Sequence, residues 1–418
     1  MESLVPDWSR FQRAVAESTP LRAWGRVVQV VGLLVEGAGP AVSVGERCDI
    51  GVTDPATGAR RWIRGEVVGF KGNRRALLTP IGGVEGIVPG SPIVARRQPA
   101  SVRVGPDWVG RVVDGLGSPL DGNGPLRGRE SVPLYGEASN PLTRPRIVKP
   151  LDLGIRSINA LLTVGRGQRM GIFAGSGVGK SVLLGMMARH AKADVNVIAL
   201  IGERGREVRE FLERDLGESG RACSVVVVAT SDTSPPLRRR GAFLATAVAE
   251  YFRAQGRQVL LMMDSLTRLA MAQREIGLAA GEPPTARGYT PSVFALLPPL
   301  LERAGTAAGG GSITGLYTVL VEGDDTADPI ADTARSILDG HIWLSRDLAA
   351  KNHFPAIDVM QSVSRVMRDV VTDEHLRLAA RVRSLLASYQ EVEMLVNIGA
   401  YTRGSNESVD EALDRIDP

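Results

Sequence analysis

The sequence predicts an α/β protein built on a parallel sheet, preceded by a small β-barrel and followed by a short α-helical domain. Apolar runs at 169–173, 195–200, 224–229, 258–263 and 312–321 alternate with helix-forming stretches, and strands that alternate with helices pair in parallel. The first of these runs opens directly onto Ala174-Gly-Ser-Gly-Val-Gly-Lys-Ser181, which reads as strand, glycine-rich loop and helix start. Before residue 97 the apolar runs are short and separated by turn signals, whereas after Asp373 the residues read as helical.

Four segments follow in order: 1–18, 19–97, 98–364 and 365–418. In the first, Leu4, Trp8, Phe11 and Val15 recur at i, i+4, i+7 and i+11, one stripe of a short helix with Asp7 near its start. That stripe has two readings, a face packed on its own domain or a docking helix for a partner. In the second, runs at 26–34, 62–70, 76–80 and 92–96 are broken by turns at Gly37-Ala-Gly39 and Gly72-Asn73, which predicts a closed barrel. A stretch carrying Pro119, Pro125, Pro133, Pro141 and Pro145 then leads into the α/β core, from about residue 151 to 364. In the last segment Leu376, Ala380, Leu385 and Tyr389 supply the apolar positions of a helix. No internal repeat or low-complexity tract is visible.

The glycine-rich loop carries the chemistry. Glycines at 175, 177 and 179, with Ser176 and Val178 between them, let successive backbone N–H groups turn inward around a di- or triphosphate. Lys180 reaches the β- and γ-phosphates, Ser181 offers a hydroxyl to Mg²⁺, and Val182 continues a helix whose positive end faces the anion. The strict pattern begins with Gly, and here that position is Ala174. Downstream, the run 258–264 is an apolar strand ending in Asp264, suited to holding Mg²⁺ through water. Between the two lies the run 197–203, which ends on Glu203 at the edge where α/β ligands bind. Its role there is to orient the water that attacks the γ-phosphorus. The same stretch, Glu203-Arg-Gly-Arg-Glu207, also reads as a solvated charge run.

Composition narrows the class. A formal charge of +4 is too slight to argue for nucleic acid by itself. Cys48 and Cys223 make no disulfide framework and fit a reducing compartment. The first residues include Glu2 and Asp7 and form no signal peptide. No apolar run approaches the ~20 residues that cross a bilayer. The expectation is a cytoplasmic protein that meets a membrane only through partners.

Four strings then carry a family resemblance: GERGREVREF at 202–211, LLMMDSLTRLAMAQREIGLAAGEPPTARGYTPSVF at 260–294, GGGSITGLYTVLVEGDD at 309–325 and FPAIDVMQSVSRVM at 354–367. They resemble the catalytic ATPases of type III protein export, within the superfamily of rotary ATP synthase α and β subunits. The resemblance spans about residues 22–411. It implies a homohexameric ring, with an N-terminal β-barrel crown, a RecA-like nucleotide domain and a helical C-terminal domain. By resemblance, Lys180 and Ser181 match the phosphate lysine and magnesium hydroxyl, Glu203 the water-activating glutamate, Arg204 its neighbour near the γ-phosphate, and Asp264 the strand-end aspartate. Phe354 takes the place where the family stacks an aromatic on adenine. Arg365 resembles the arginine finger offered to a neighbouring subunit, and Tyr401 closes the base pocket from the helical domain. Glu322, Asp324, Asp325 and Asp328 lack EF-hand spacing, and in the family this region faces the ring's centre.

The resemblance further implies a stator-like regulator dimer at the N-terminal segment, a central stalk-like protein in the ring, and export substrates and chaperones as clients. It places the chain at the cytoplasmic face of the inner membrane. A non-catalytic rotary subunit would lack Glu203. A ring-shaped RNA motor would show stacking aromatics in its β-domain, yet Trp62 and Phe70 are the only ones between Arg26 and Ala100, so no specific nucleic acid is expected. The strings LVEGDD, NIGAY and AAKNHFPAIDV favour the flagellar branch over the injectisome. Family members carry further helices beyond the stretch matching 405–414, so a trimmed C-terminal domain and weak rings at low concentration are expected.

Overall fold

The computed structural model describes Trp8, Phe11, Gln12, Val15 and residues 24–54, 57–72, 75–321 and 328–416. The chain forms two compact units, one of residues Met1–Ser101 with Glu275–Glu282, the other of Val102–Arg274 with Pro283–Pro418.

The first unit holds a closed six-stranded barrel: β1 (Trp24–Val31), β2 (Leu34–Ala38), β3 (Glu46–Thr53), β4 (Arg60–Lys71), β5 (Arg75–Pro80) and β6 (Pro92–Pro99). Their order is β1-β2-β5-β4-β3-β6, and β6 returns to pair with β1. All pairs are antiparallel, and alternate residues turn inward to a core of Val27, Val35, Ile50, Ile63, Val67, Leu78 and Ile93. The run 26–34 reads in sequence as one strand but folds as two. A turn at Gly32-Leu33 ends β1, and Leu34 pairs back onto Val31. Apolar content continues through that turn, so hydrophobicity alone cannot mark it. The side chains of Trp8, Phe11 and Val15 are exposed, with the Trp8 and Phe11 rings 6.0 Å apart; Leu4 lies outside the described residues.

The second unit is built on an eight-stranded path in one sheet: β7 (Val112–Asp114), β8 (Arg169–Ala174), β9 (Val195–Ile201), β10 (Ser224–Ala229), β11 (Gln258–Asp264), β12 (Ser312–Leu320), β13 (Gly340–Leu344) and β14 (Ile357–Ser364). The order is β14-β13-β8-β12-β11-β9-β10-β7, parallel throughout except for the antiparallel edge pair β13–β14. Every residue of β9 and β10 is buried, which is why they appear in sequence as unbroken apolar runs rather than alternating ones. Burying each such Val, Leu or Ile stabilises by roughly 1.5–3 kcal/mol. The helix Pro235–Ala254 packs on this sheet, and its middle, from Gly241 to Ala249, is buried throughout, small residues (Gly241, Ala242, Ala245, Ala247, Ala249) alternating with Phe243, Leu244 and Val248.

Two helices end the chain, Asp373–Asn397 and Glu407–Ile416. Thr372 caps the longer one, its side chain accepting from the His375 N–H at 3.3 Å. His375 Nε2 in turn lies 2.7 Å from the Ala160 carbonyl, and Arg383 donates to the carbonyls of Leu161 and Ser362. Of the apolar positions expected there, Leu385 is buried, Leu376 and Tyr389 are half-buried and Ala380 is exposed. The helix uses a narrower contact face than its composition suggests. No helix among the described residues is long and apolar enough to cross a membrane.

Candidate active site

The loop after β8 lies at the carboxyl ends of the parallel strands, where α/β ligands bind. Gly177 and Gly179 sit at φ +80° and +83°, a left-handed backbone that strains any residue with a Cβ. Ala174 does not need that freedom. It is the last residue of β8, pairs with Leu320 and Leu344, and its side chain is buried. Alanine therefore replaces the usual first glycine without strain. The helix Lys180–His190 starts on Gly179, with no side chain capping its first N–H groups. Those donors are left for an anion.

Three ionisable side chains meet behind the loop. Lys180 Nζ is 2.5 Å from Asp264 Oδ1 and 3.7 Å from Glu203 Oε1. Burial works to lower the Lys180 pKa, but the Asp264 and Glu203 carboxylates outweigh it and hold the ammonium above its ordinary value. Glu203 is pushed up to about 7, first by burial and then by the Asp264 charge, against the pull of Lys180. Its Oε1 is buried without a hydrogen-bond partner, a costly state that a water or ligand proton donor would relieve. Glu207 shares a hydrogen bond with Glu203, and its own carboxyl is held below the usual range.

The sheet explains this convergence. Glu203 follows β9 and Asp264 ends β11, with Leu200 opposite Asp264 in the register. Strand β12 runs between β8 and β11 and contributes Thr318, whose hydroxyl donates to Asp264 Oδ1 at 2.6 Å. Sequence reading missed Thr318, because a threonine inside an apolar strand carries no motif. It also missed Arg268, whose side chain packs over Gly202 and whose Nε is buried without a hydrogen-bond partner. The run Leu-Thr-Arg after Asp264 was the only available signal.

Other expected residues fall into distinct places. Ser176, Ser181 and Val182 are exposed at the loop, whereas Val178 is buried beneath it. A methyl placed on Gly179 would lie 3.4 Å from Phe354 Cε1, so the half-exposed Phe354 ring flanks the loop's end. Arg204 is exposed and ion-pairs with Glu207 at 3.1 Å. Arg365 is exposed, its backbone N–H donating to Asp339 and its guanidinium to the Leu338 carbonyl. It makes no hydrogen bond or ion pair with the Lys180 cluster among the described residues. Tyr401 lies in the loop between the two C-terminal helices, where its hydroxyl donates to the Asn406 carbonyl and lies 3.1 Å from Asp410 Oδ1. Asp328 caps the helix Pro329–Ile337 and pairs with Arg287; Glu322, Asp324 and Asp325 lie outside the described residues.

Fold and site together define a P-loop nucleotide-binding protein. The family model of the ATP synthase alpha/beta nucleotide-binding domain matches residues 154–364, that of the family's beta-barrel domain matches 27–96, and that of the T3SS EscN ATPase C-terminal domain matches 371–418. The chain is 54% identical to the flagellum-specific ATP synthase of Bacillus subtilis (strain 168), over 94% of this chain and 88% of that protein. It is equally 54% identical to a type 3 secretion system ATPase of Xanthomonas euvesicatoria, over 97% and 90%. Among solved structures, the assembled ATPase EscN with its central stalk EscO, from the enteropathogenic E. coli type III secretion system, superimposes with a TM-score of 0.84 at 46% identity, over 93% of this chain and 92% of that one. The chain belongs to the ATP synthase alpha/beta family, and its nucleotide-binding domain binds ATP.

Proposed function

We propose that the chain hydrolyses MgATP as a homohexameric ring and serves a type III protein export apparatus. The observation that carries the catalytic reading is the cluster of partly buried Lys180 and Glu203 with buried Asp264 behind the loop. In the free chain Lys180 is neutralised by the two carboxylates, and the β- and γ-phosphates compete for it on binding. Glu203, poised near neutrality, orients a water toward the γ-phosphorus. The water oxygen attacks as the bond to the bridging oxygen of ADP breaks, and the water proton passes toward the Glu203 carboxylate. The donor set suits Mg²⁺, a hard cation that prefers oxygen ligands. Ser181 presents a hydroxyl, and both Asp264 contacts among the described residues run through Oδ1, leaving Oδ2. Bound there, the ion neutralises charge on the phosphates.

Arg204 lies next to Glu203 and is assigned to the γ-phosphate side. Phe354 stacks on adenine, and Tyr401 closes the base pocket when the helical domain meets it. Arg365 serves a neighbouring subunit's site, in keeping with its exposure. The exposed Trp8–Phe11 face takes a stator-like regulator dimer, and the ring's centre a stalk-like protein, as EscN does with EscO. Export substrates and chaperones are the clients, at the cytoplasmic face of the inner membrane. The flagellar setting is favoured by the strings LVEGDD and NIGAY; equal identity to the Xanthomonas enzyme supports an injectisome as the second reading. Complementation of motility in a strain lacking its flagellar ATPase, against secretion in one lacking its injectisome ATPase, separates the two.

The catalytic reading is tested by two substitutions. Glu203→Gln keeps nucleotide binding and loses turnover by at least a hundredfold, the scale of general-base contributions. Lys180→Ala instead weakens binding of the nucleotide. Near-normal hydrolysis by Glu203→Gln would remove Glu203 from its role.

A further inference from the structure

Thr318 is completely buried in β12, where a hydroxyl needs a partner. Two acceptors are within reach, Asp264 Oδ1 at 2.6 Å and the Met263 carbonyl at 3.4 Å. A hydroxyl has one proton to give, and the shorter contact, to a carboxylate, takes it.

The backbone fixes where that hydroxyl stands. Strands β11 and β12 pair from Gln258 opposite Ser312 to Met263 opposite Tyr317, so their ladder ends one residue short of Asp264 and Thr318. Beyond it the two segments are joined by side chains. Thr318 donates to Asp264, and the Thr267 hydroxyl accepts from the Leu320 N–H at 2.8 Å. On its other side β12 pairs with β8, where Thr318 lies opposite Ile172, two residues before Ala174. The hydroxyl is thus carried on a strand clamped between the phosphate loop's strand and that of the acid.

We infer that Thr318 is a positioning residue for Asp264, its hydroxyl fixing the carboxylate so that Oδ1 stays with the protein and Oδ2 is the oxygen left for Mg²⁺. The inference rests on the proposed reading of Asp264 as a magnesium acid. Asp264 Oδ1 accepts from Lys180 Nζ at 2.5 Å as well as from Thr318, whereas Oδ2 has no hydrogen bond among the described residues. Lysine cannot set this orientation alone. Its ammonium is a point charge on a flexible stem, and the last torsion of an aspartate is broad, so the carboxylate could turn and give both oxygens to it. Lys180 is also the donor that incoming phosphates draw away, and the strand-borne hydroxyl then still holds Oδ1. Packing does not call for the hydroxyl, since valine has the same shape and suits a buried strand.

Titrations of the full-length chain with fluorescent mant-ADP, in excess Mg²⁺ and in EDTA, test this. The ratio of the two dissociation constants measures how far the metal strengthens nucleotide binding. Thr318→Val, which keeps the shape and removes the hydroxyl, lowers that ratio roughly tenfold, as expected for one lost hydrogen bond to a charged group, and leaves the EDTA affinity at the wild-type value. Thr318→Ser keeps the hydroxyl and the ratio, although the loss of a buried methyl lowers its melting temperature. Thr318→Ala loses both groups, melts lower and shows the reduced ratio, so the result does not depend on one variant folding. A wild-type ratio in the variants without the hydroxyl would overturn the inference, as would equal losses in Mg²⁺ and EDTA or a ratio that follows the melting temperature instead of the hydroxyl. Asp264→Asn runs alongside: a lowered ratio there with none lost in Thr318→Val sinks this inference alone, whereas a wild-type ratio in Asp264→Asn sinks the magnesium reading beneath it.

Discussion

At Glu203, burial and a neighbouring negative charge act together. Burial disfavours the carboxylate, Asp264 repels it, and Lys180 only partly compensates, so the group titrates near 7 instead of near 4.5. A base with its pKa close to the working pH combines adequate ionisation with useful proton affinity. In the proposed role of water-orienting base the ionised form is the competent one, so the sign for activity is direct. With Mg²⁺ saturating, kcat/KM rises with pH through about 7 and levels off above it. Glu203→Asp, a shorter acid, retains a rising limb, whereas the residual activity of Glu203→Gln is flat across that range. A wild-type profile with no inflection between pH 6 and 8, measured as steady-state ATPase activity, would separate the titration from catalysis. Sequence reading found this residue because it directly follows an apolar strand. Its near-neutral pKa was not legible, since Lys180 and Asp264 come from distant segments.

At the scale of elements, the sheet edge illustrates how a proline-bearing stretch acquires structure. Strand β7 is three residues long and lies among turns, so no periodicity marks it. It is held by Asp121, whose carboxylate accepts from Arg111 at 2.8 and 2.9 Å and from the Val112 and Asn123 N–H groups. The Arg111 guanidinium first, then these backbone donors, hold the Asp121 carboxyl far below the usual range. Both side chains are largely buried. Asp121→Asn should cost about 2 kcal/mol at pH 7, the scale of a charge-assisted hydrogen bond. Because the folded-state pKa is depressed, the contribution is complete above about 3.9, the unfolded aspartate value, and fades as pH falls through the folded one. Thermal unfolding of both proteins at neutral and strongly acid pH checks this: the gap is present in the first and narrowed in the second. An equal gap at both would assign the cost to packing instead.

For the whole molecule, the proposed role of Arg365 in a neighbouring subunit's site makes activity depend on association. Its guanidinium rests on the Leu338 carbonyl, exposed, and does not join its own chain's Lys180 cluster. An arginine supplied in trans contributes ~10³–10⁵ in rate by neutralising transition-state charge. Specific activity should therefore climb steeply with protein concentration as chains associate. Mixing Arg365→Ala with Lys180→Ala protein should recover turnover that neither has alone, since some interfaces then pair an intact loop with an intact arginine. A rate independent of concentration, with no recovery on mixing, would mean that each chain works by itself.

By itself the sequence determined what depends on contiguous residues. The phosphate loop needs glycines, lysine and serine within a few positions. The acids at 203 and 264 each end a recognisable apolar strand, and the order barrel, sheet, helices follows from periodicity along the chain. These were legible because local backbone geometry and side-chain spacing carry them. Only the tertiary structure decided how they meet. Strand order places β12 between the loop's strand and that of Asp264, which brings Thr318 onto the carboxylate. The segment after β13 carries Arg346 onto Gly175, and the barrel strands β1 and β2 part at a turn that hydrophobicity passes over. Each of these depends on contacts between segments remote in sequence, whose register is set by the packed core rather than by any local pattern.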